Sequence, residues 1–87
     1  MPRVRQAEYH PDAYQAILTL PARVRGIVLD KIDEMVADSL SVKPLGTTED
    51  GIFWTLSGSG HALLFDIEDD RVLILDVLPV AAFFAKT

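Results

Sequence analysis

The chain has 87 residues, 49% of them apolar and 24% charged, and it contains no cysteine. Eight Lys and Arg stand against thirteen Asp and Glu, which gives a net charge of −5. These figures describe one small domain over residues 1–87, and they exclude a disulfide scaffold, a thiolate metal site and a generally basic nucleic-acid binder.

The start, Met1-Pro2-Arg3-Val4-Arg5, is basic but leads into no apolar run, so no secretory signal is expected and the cysteine-free chain reads as cytoplasmic. Residues 3–9 alternate, with Val4, Gln6 and Glu8 on one side and Arg5, Ala7 and Tyr9 on the other, the pattern of an edge strand. Pro11 suits the first turn of a helix, where its missing N–H costs nothing. Ala13, Ile17 and Leu20 make one stripe of that helix, and Tyr14 and Leu18 an adjacent one.

Pro21 ends the first helix and can begin a second. Val24, Ile27, Val28, Ile32, Met35 and Val36 recur at three- and four-residue spacing to about Ser39, with Arg23, Asp30, Asp33, Glu34 and Asp38 mostly on the other side. Ser39 to Gly51 reads as a connection. It carries Lys43-Pro44-Leu45-Gly46 and the turn-prone Glu49-Asp50-Gly51.

Three strands follow. Ile52 to Ser57 places Ile52, Trp54 and Leu56 on one face. Gly58-Ser59-Gly60 makes a hairpin turn, because glycine accepts positive φ. His61 to Glu68 turns Leu63, Phe65 and Ile67 one way. Asp69-Asp70 turns the chain again, and Arg71 to Leu78 is a nearly continuous apolar run, as expected where both faces of a strand are covered. The run from Val72 to Ala85 is broken by Asp76 and Pro79 and is too short for a membrane span. Ala81 to Ala85 is a short helix or an extended tail. The order is β-α-α-β-β-β, an α+β domain in which two N-terminal helices pack on a small antiparallel sheet.

This order resembles the RelE/ParE toxin superfamily over most of the chain. The resemblance lies in Tyr9-His10-Pro11-Asp12-Ala13, a strand ending in an aromatic before a proline-started helix, and in Leu20-Pro21 at the helix break. It continues through Lys43-Pro44-Leu45-Gly46, Phe65-Asp66-Ile67 and the last strand from Asp69 to Val77. It implies a toxin-like protein bound by a cognate antitoxin. RelE-type members cleave mRNA on the ribosome with Arg and Lys on the open face of the sheet, whereas ParE-type members inhibit gyrase without chemistry of their own. The family's Tyr-Arg pair at the start of the middle strand aligns with His61 and Ala62. Its arginine in the preceding strand has no counterpart in Phe53-Trp54-Thr55-Leu56-Ser57, and its late His-Arg aligns with Val77-Leu78-Pro79-Val80.

If RNA is cleaved, His61 is the candidate base or stacking group, with Lys43 and Arg71 as phosphate contacts. The bland reading of His61 is a turn histidine. Ser59, His61 and Asp66 have the wrong spacing for a nucleophile elbow. Asp66, Glu68 and Asp70 read as a solvated acidic hairpin rather than a cation site, and neither metal nor cofactor is expected. Asp76 interrupts an apolar strand and is expected to face solvent or to pair with Arg71, Lys43 or His61. Arg23 and Arg25, with Arg3 and Arg5, read as solvated surface. Phe53 and Trp54 must point to opposite faces, so one leaves the helix-covered core. Trp54, Phe83 and Phe84 are therefore the candidate interface residues, docked on the sheet or on a partner. The alternative function is a non-catalytic binding module on the same fold, a degenerate toxin or a small regulator that dimerises through its aromatics.

Overall fold

The computed structural model describes residues 6–37, 44–68 and 71–85. The elements run β1 (Gln6–Tyr9), α1 (Pro11–Leu18), α2 (Ala22–Ala37), β2 (Gly46–Thr47), β3 (Phe53–Leu56), β4 (His61–Glu68), β5 (Arg71–Pro79) and α3 (Val80–Ala85). This is the expected α+β order, with a two-residue strand added in the connection and the C-terminal segment resolved as a helix. Among the described residues no helix is long and apolar enough to cross a membrane.

α1 starts where Pro11 permits. The His10 ring accepts a hydrogen bond from the Asp12 N–H at 3.2 Å, which satisfies one of the orphan donors of the first turn. His10 also ties the helix to the sheet, because its own N–H donates to the Ile74 carbonyl at 2.9 Å. Ala13 and Ile17 are buried, while the adjacent stripe of Tyr14 and Leu18 is left largely exposed. α2 buries Val28, Ile32 and Met35 and exposes Arg23, Asp30, Asp33 and Glu34, as its periodicity dictates.

The sheet has five strands in the order β1-β5-β4-β3-β2. β3, β4 and β5 form the expected antiparallel meander, and β2 adds to the edge of β3. The sheet is mixed rather than wholly antiparallel, because β1 pairs in parallel with β5. A parallel pair needs a long crossover. Here everything from α1 to β4 supplies it, and the first and last strands meet.

Pairing fixes which residues share a face. Tyr9, Ile74, Phe65 and Phe53 form one row, and Val77, Leu63 and Thr55 another; both lie under α1 and α2. With Ala13, Ile17, Val28, Ile32, Met35 and Val72 they make up the main core. The register slips between Leu64 and Phe65, whose partners are Asp76 and Ile74, so Leu75 has no partner in β4. This is a β-bulge, and it moves Val77 onto the core face although Ile74 already lies there. The continuous apolar run of β5 thus reflects a change of phase as well as cover on both sides. The candidate Lys43, the Asp69-Asp70 turn, and Arg3 and Arg5 lie outside the described residues.

Candidate functional site

On the face turned away from α1 and α2, Asp76, Leu64 and Trp54 form one row and Leu78, Ala62 and Leu56 the next. α3 folds back over this end and packs on β4 and β5. Its first N–H, from Val80, donates to the Gly60 carbonyl in the β3–β4 turn at 3.0 Å, which fixes the fold-back. Ala62 and Phe83 are buried here, apart from the core on the helix side.

The aromatic side chains singled out in the sequence meet at this point. Trp54 lies 5.1 Å from Phe83 and 5.8 Å from Phe84, centroid to centroid, and the two phenylalanines lie 5.2 Å apart edge-on. Such tilted and edge-to-face contacts are the favoured aromatic geometries. Phe83 is only 4% exposed and anchors the helix, whereas Phe84 is 50% exposed. Phe53 points the other way, into the core, 6.0 Å from Phe65.

Beside this cluster opens a cavity lined by Thr48, Glu49, Asp50, Ile52, Leu64, Asp76, Leu78 and Phe83, with a volume of about 230 Å³. The turn from Thr48 to Ile52 forms one wall. It is closed by the Thr48 N–H to the Ile52 carbonyl at 2.8 Å and by Gly51 at φ 82°. Asp76 faces this cavity rather than the core. One of its oxygens accepts the Val77 N–H at 2.8 Å, and among the described residues it enters no ion pair.

Further along the same face, Glu8, Leu73 and Asp66 share a row, and Arg71 pairs with Glu68. Arg71 Nη1 donates to both Glu8 carboxylate oxygens, at 2.9 and 3.0 Å, and its Nε lies 3.2 Å from Glu68. It clips β1 to the sheet. Among the described residues of these rows Arg71 is the sole cation, set among Glu8, Asp66, Glu68 and Asp76.

His61 stands at the far end of β4 from Arg71: His61 pairs with Pro79, and Arg71 with Glu68. Seven residues of extended strand separate those ends, about 23 Å. By strand alternation His61 shares the face of Leu63 and Phe65, the side under the helices, and not that of Trp54 and Asp76. Its Nδ1 lies 3.2 Å from Ser59 Oγ and 3.3 Å from the Ser59 carbonyl oxygen, within a turn also held by Ser57 and Ser59 hydroxyls 2.7 Å apart. Asp66 lies five positions along the strand on the opposite face, so no Ser-His-Asp relay forms. The structure does not bring His61 and Arg71 together. What sequence reasoning missed is the cavity, because its two walls come from the Thr48–Ile52 turn and the bulged half of β5.

The Tyr9 phenol is clearly perturbed. Partial burial raises its phenol above the ordinary 10.0, and the negative charge of Asp33 on α2 pushes it the same way.

Comparison with solved structures places this architecture. A chain of the toxin–antitoxin complex RelBE2 from Mycobacterium tuberculosis is 26% identical, with 88% of this chain and 92% of that chain covered at a TM-score of 0.70. The free Escherichia coli toxin RelE, as a double arginine-to-alanine variant, is 19% identical, with 95% and 90% covered at a TM-score of 0.71. A chain of the archaeal RelE–RelB complex from Pyrococcus horikoshii is 16% identical, with 88% and 96% covered at a TM-score of 0.67. No protein-family model and no curated protein matches the sequence. The chain has the RelE-like toxin fold.

Proposed function

We propose that this RelE-like chain is the toxin-like member of a toxin–antitoxin pair and that it works by protein contact, without cutting RNA. The antitoxin partner is supported by the likeness to chains crystallised in RelBE complexes, over nearly their whole length.

The observation that carries the mechanism is the charge of the open face. Ribosome-bound mRNA presents a row of phosphates, and a protein that holds and cleaves it needs cations to offset their charge. On the described part of this face the carboxylates of Glu8, Asp66, Glu68 and Asp76 outnumber Arg71, whose guanidinium is engaged by Glu8 and Glu68. An acidic surface repels polyanions and draws basic partners. The half-exposed Phe84 beside Trp54 supplies an apolar contact of the kind that dominates protein interfaces.

The test is co-expression with the neighbouring reading frame. The chain alone should arrest growth, the neighbour should relieve the arrest and co-purify with it, and ribosomes from arrested cells should carry intact mRNA. Growth unaffected by strong expression would remove the toxin reading and leave a non-catalytic binding module on the same fold. Cleaved mRNA on the ribosome would remove the proposed mechanism.

A further inference from the structure

We infer that the cavity between the Thr48–Ile52 turn and β5 receives an arginine or lysine side chain presented by a protein partner. This deepens the contact mechanism proposed above and rests on it for the identity of the partner as a protein.

The cavity joins two chemistries that one long cationic side chain satisfies together. Ile52, Leu64, Leu78 and Phe83 give it apolar walls, and the acidic residues Glu49, Asp50 and Asp76 are among those that line it. Arg and Lys carry an apolar stem and a charged head, and they lay the first along hydrocarbon while placing the second among acceptors.

Three observations favour this occupant. At about 230 Å³ the space is several times that of one water, about 30 Å³ in the liquid. Among the described residues no three carboxylates or imidazoles converge closely enough to hold a metal ion, so the acids around the cavity do not form a cation cage. The Asp76 carboxylate is partly buried beside Leu64 and Leu78, and among the described residues no cation meets it. A charge-assisted hydrogen bond to a partly buried carboxylate is stronger than a neutral one.

The charge sense is specific to this chain's residues. Where the open face carries Glu8, Asp66, Glu68 and Asp76, the complementary segment is basic and apolar, not acidic. Phe84, half-exposed and in contact with Phe83, would meet the residues flanking the inserted side chain.

The probe is a set of three peptides, acetyl-Leu-Arg-Leu-amide and its citrulline and glutamate counterparts, titrated into the isolated full chain while backbone amide NMR shifts are followed. The arginine peptide should shift the amides of Ile52, Leu64, Asp76 and Leu78 saturably, and the citrulline isostere should bind about tenfold more weakly. Asp76→Asn keeps the acceptor for the Val77 N–H and should weaken the arginine peptide by about tenfold. Asp50→Asn, on the exposed turn, should weaken it to a lesser degree and provides the test should the first variant not fold. Equal binding of arginine and citrulline peptides, shifts confined to other residues, no saturable shift up to about 10 mM peptide, or the same shifts from magnesium alone would each overturn the inference. The titration involves no growth assay. A chain that binds the peptide yet leaves growth untouched removes the toxin reading alone, and one that arrests growth without binding the peptide removes this inference alone.

Discussion

The Trp54 indole lies directly against Gly46 across the β2–β3 ladder: a methyl group placed on Gly46 would sit 2.7 Å from the indole nitrogen. The other sides of the ring are occupied by Phe83 and Phe84. A side chain at position 46 therefore cannot be absorbed by a small swing of the ring without moving α3. Gly46→Ala should cost about 1–3 kcal/mol and alter the emission of the single tryptophan. Urea unfolding followed by fluorescence measures both.

The two adjacent phenylalanines of α3 should separate stability from binding. Phe83→Ala empties a buried position and should destabilise the fold by about 3 kcal/mol. Phe84→Ala should cost less than about 1 kcal/mol yet weaken capture of the neighbouring-frame protein at least severalfold. Thermal melts and a pull-down of the co-expressed pair read the two effects. A Phe84→Ala variant that captures its partner normally would remove Phe84 from the interface.

Arg71 is a clip on β1. Its contacts with Glu8 and Glu68 are half-exposed, and such pairs contribute little in water. Arg71→Ala should lower stability by about 0.5–1 kcal/mol, with the difference shrinking in high salt, and should leave growth arrest in place. A catalytic role would abolish the arrest at unchanged stability. His61→Ala should likewise leave the arrest in place, with intact mRNA on the ribosome as the second readout.

Gly26 is the fifth residue of α2, and a methyl group there would meet nothing within 4 Å. Gly26→Ala should therefore raise stability by about 0.5–1 kcal/mol, because a helical glycine loses more backbone freedom on folding than alanine does. The same urea titration measures it.

Tyr9 gives the fold an alkaline weakness. Its folded-state pKa is raised by partial burial and then by Asp33, so the phenol holds its proton more tightly in the folded chain than in the unfolded one. Its contribution is complete below the ordinary value of 10.0 and is lost as the pH climbs through the higher folded-state value. Tyr9→Phe should flatten the fall in stability above pH 10, and denaturant midpoints across that range would show it.

Much of this architecture is legible along the chain. α2 has a sustained helical period, β4 runs from His61 to Glu68 as its alternation and bounding turns predict, and Pro11 marks the start of α1. β2 is not legible, since Gly46 and Thr47 become a strand only because Trp54 and Phe53 offer a ladder. The parallel docking of β1 on β5 is also hidden, because no local pattern records a partner sixty-five residues away. For the site, the sequence shows that Phe53 and Trp54 must diverge, and both find partners on opposite faces. The distance between His61 and Arg71 follows only from register, and the cavity beside Asp76 depends on the bulge, which single-residue propensities do not encode.

That bulge gives β5 a spare link. Remove Leu75, and Ile74, Asp76 and Val77 would fall into plain alternation with their present orientations kept: inward, outward, inward. Loss of one residue from a regularly alternating stretch would instead turn every residue beyond it to the opposite face. Length variation in this segment is thus absorbed at one point, and the carboxylate beside the turn keeps its outward aspect through it.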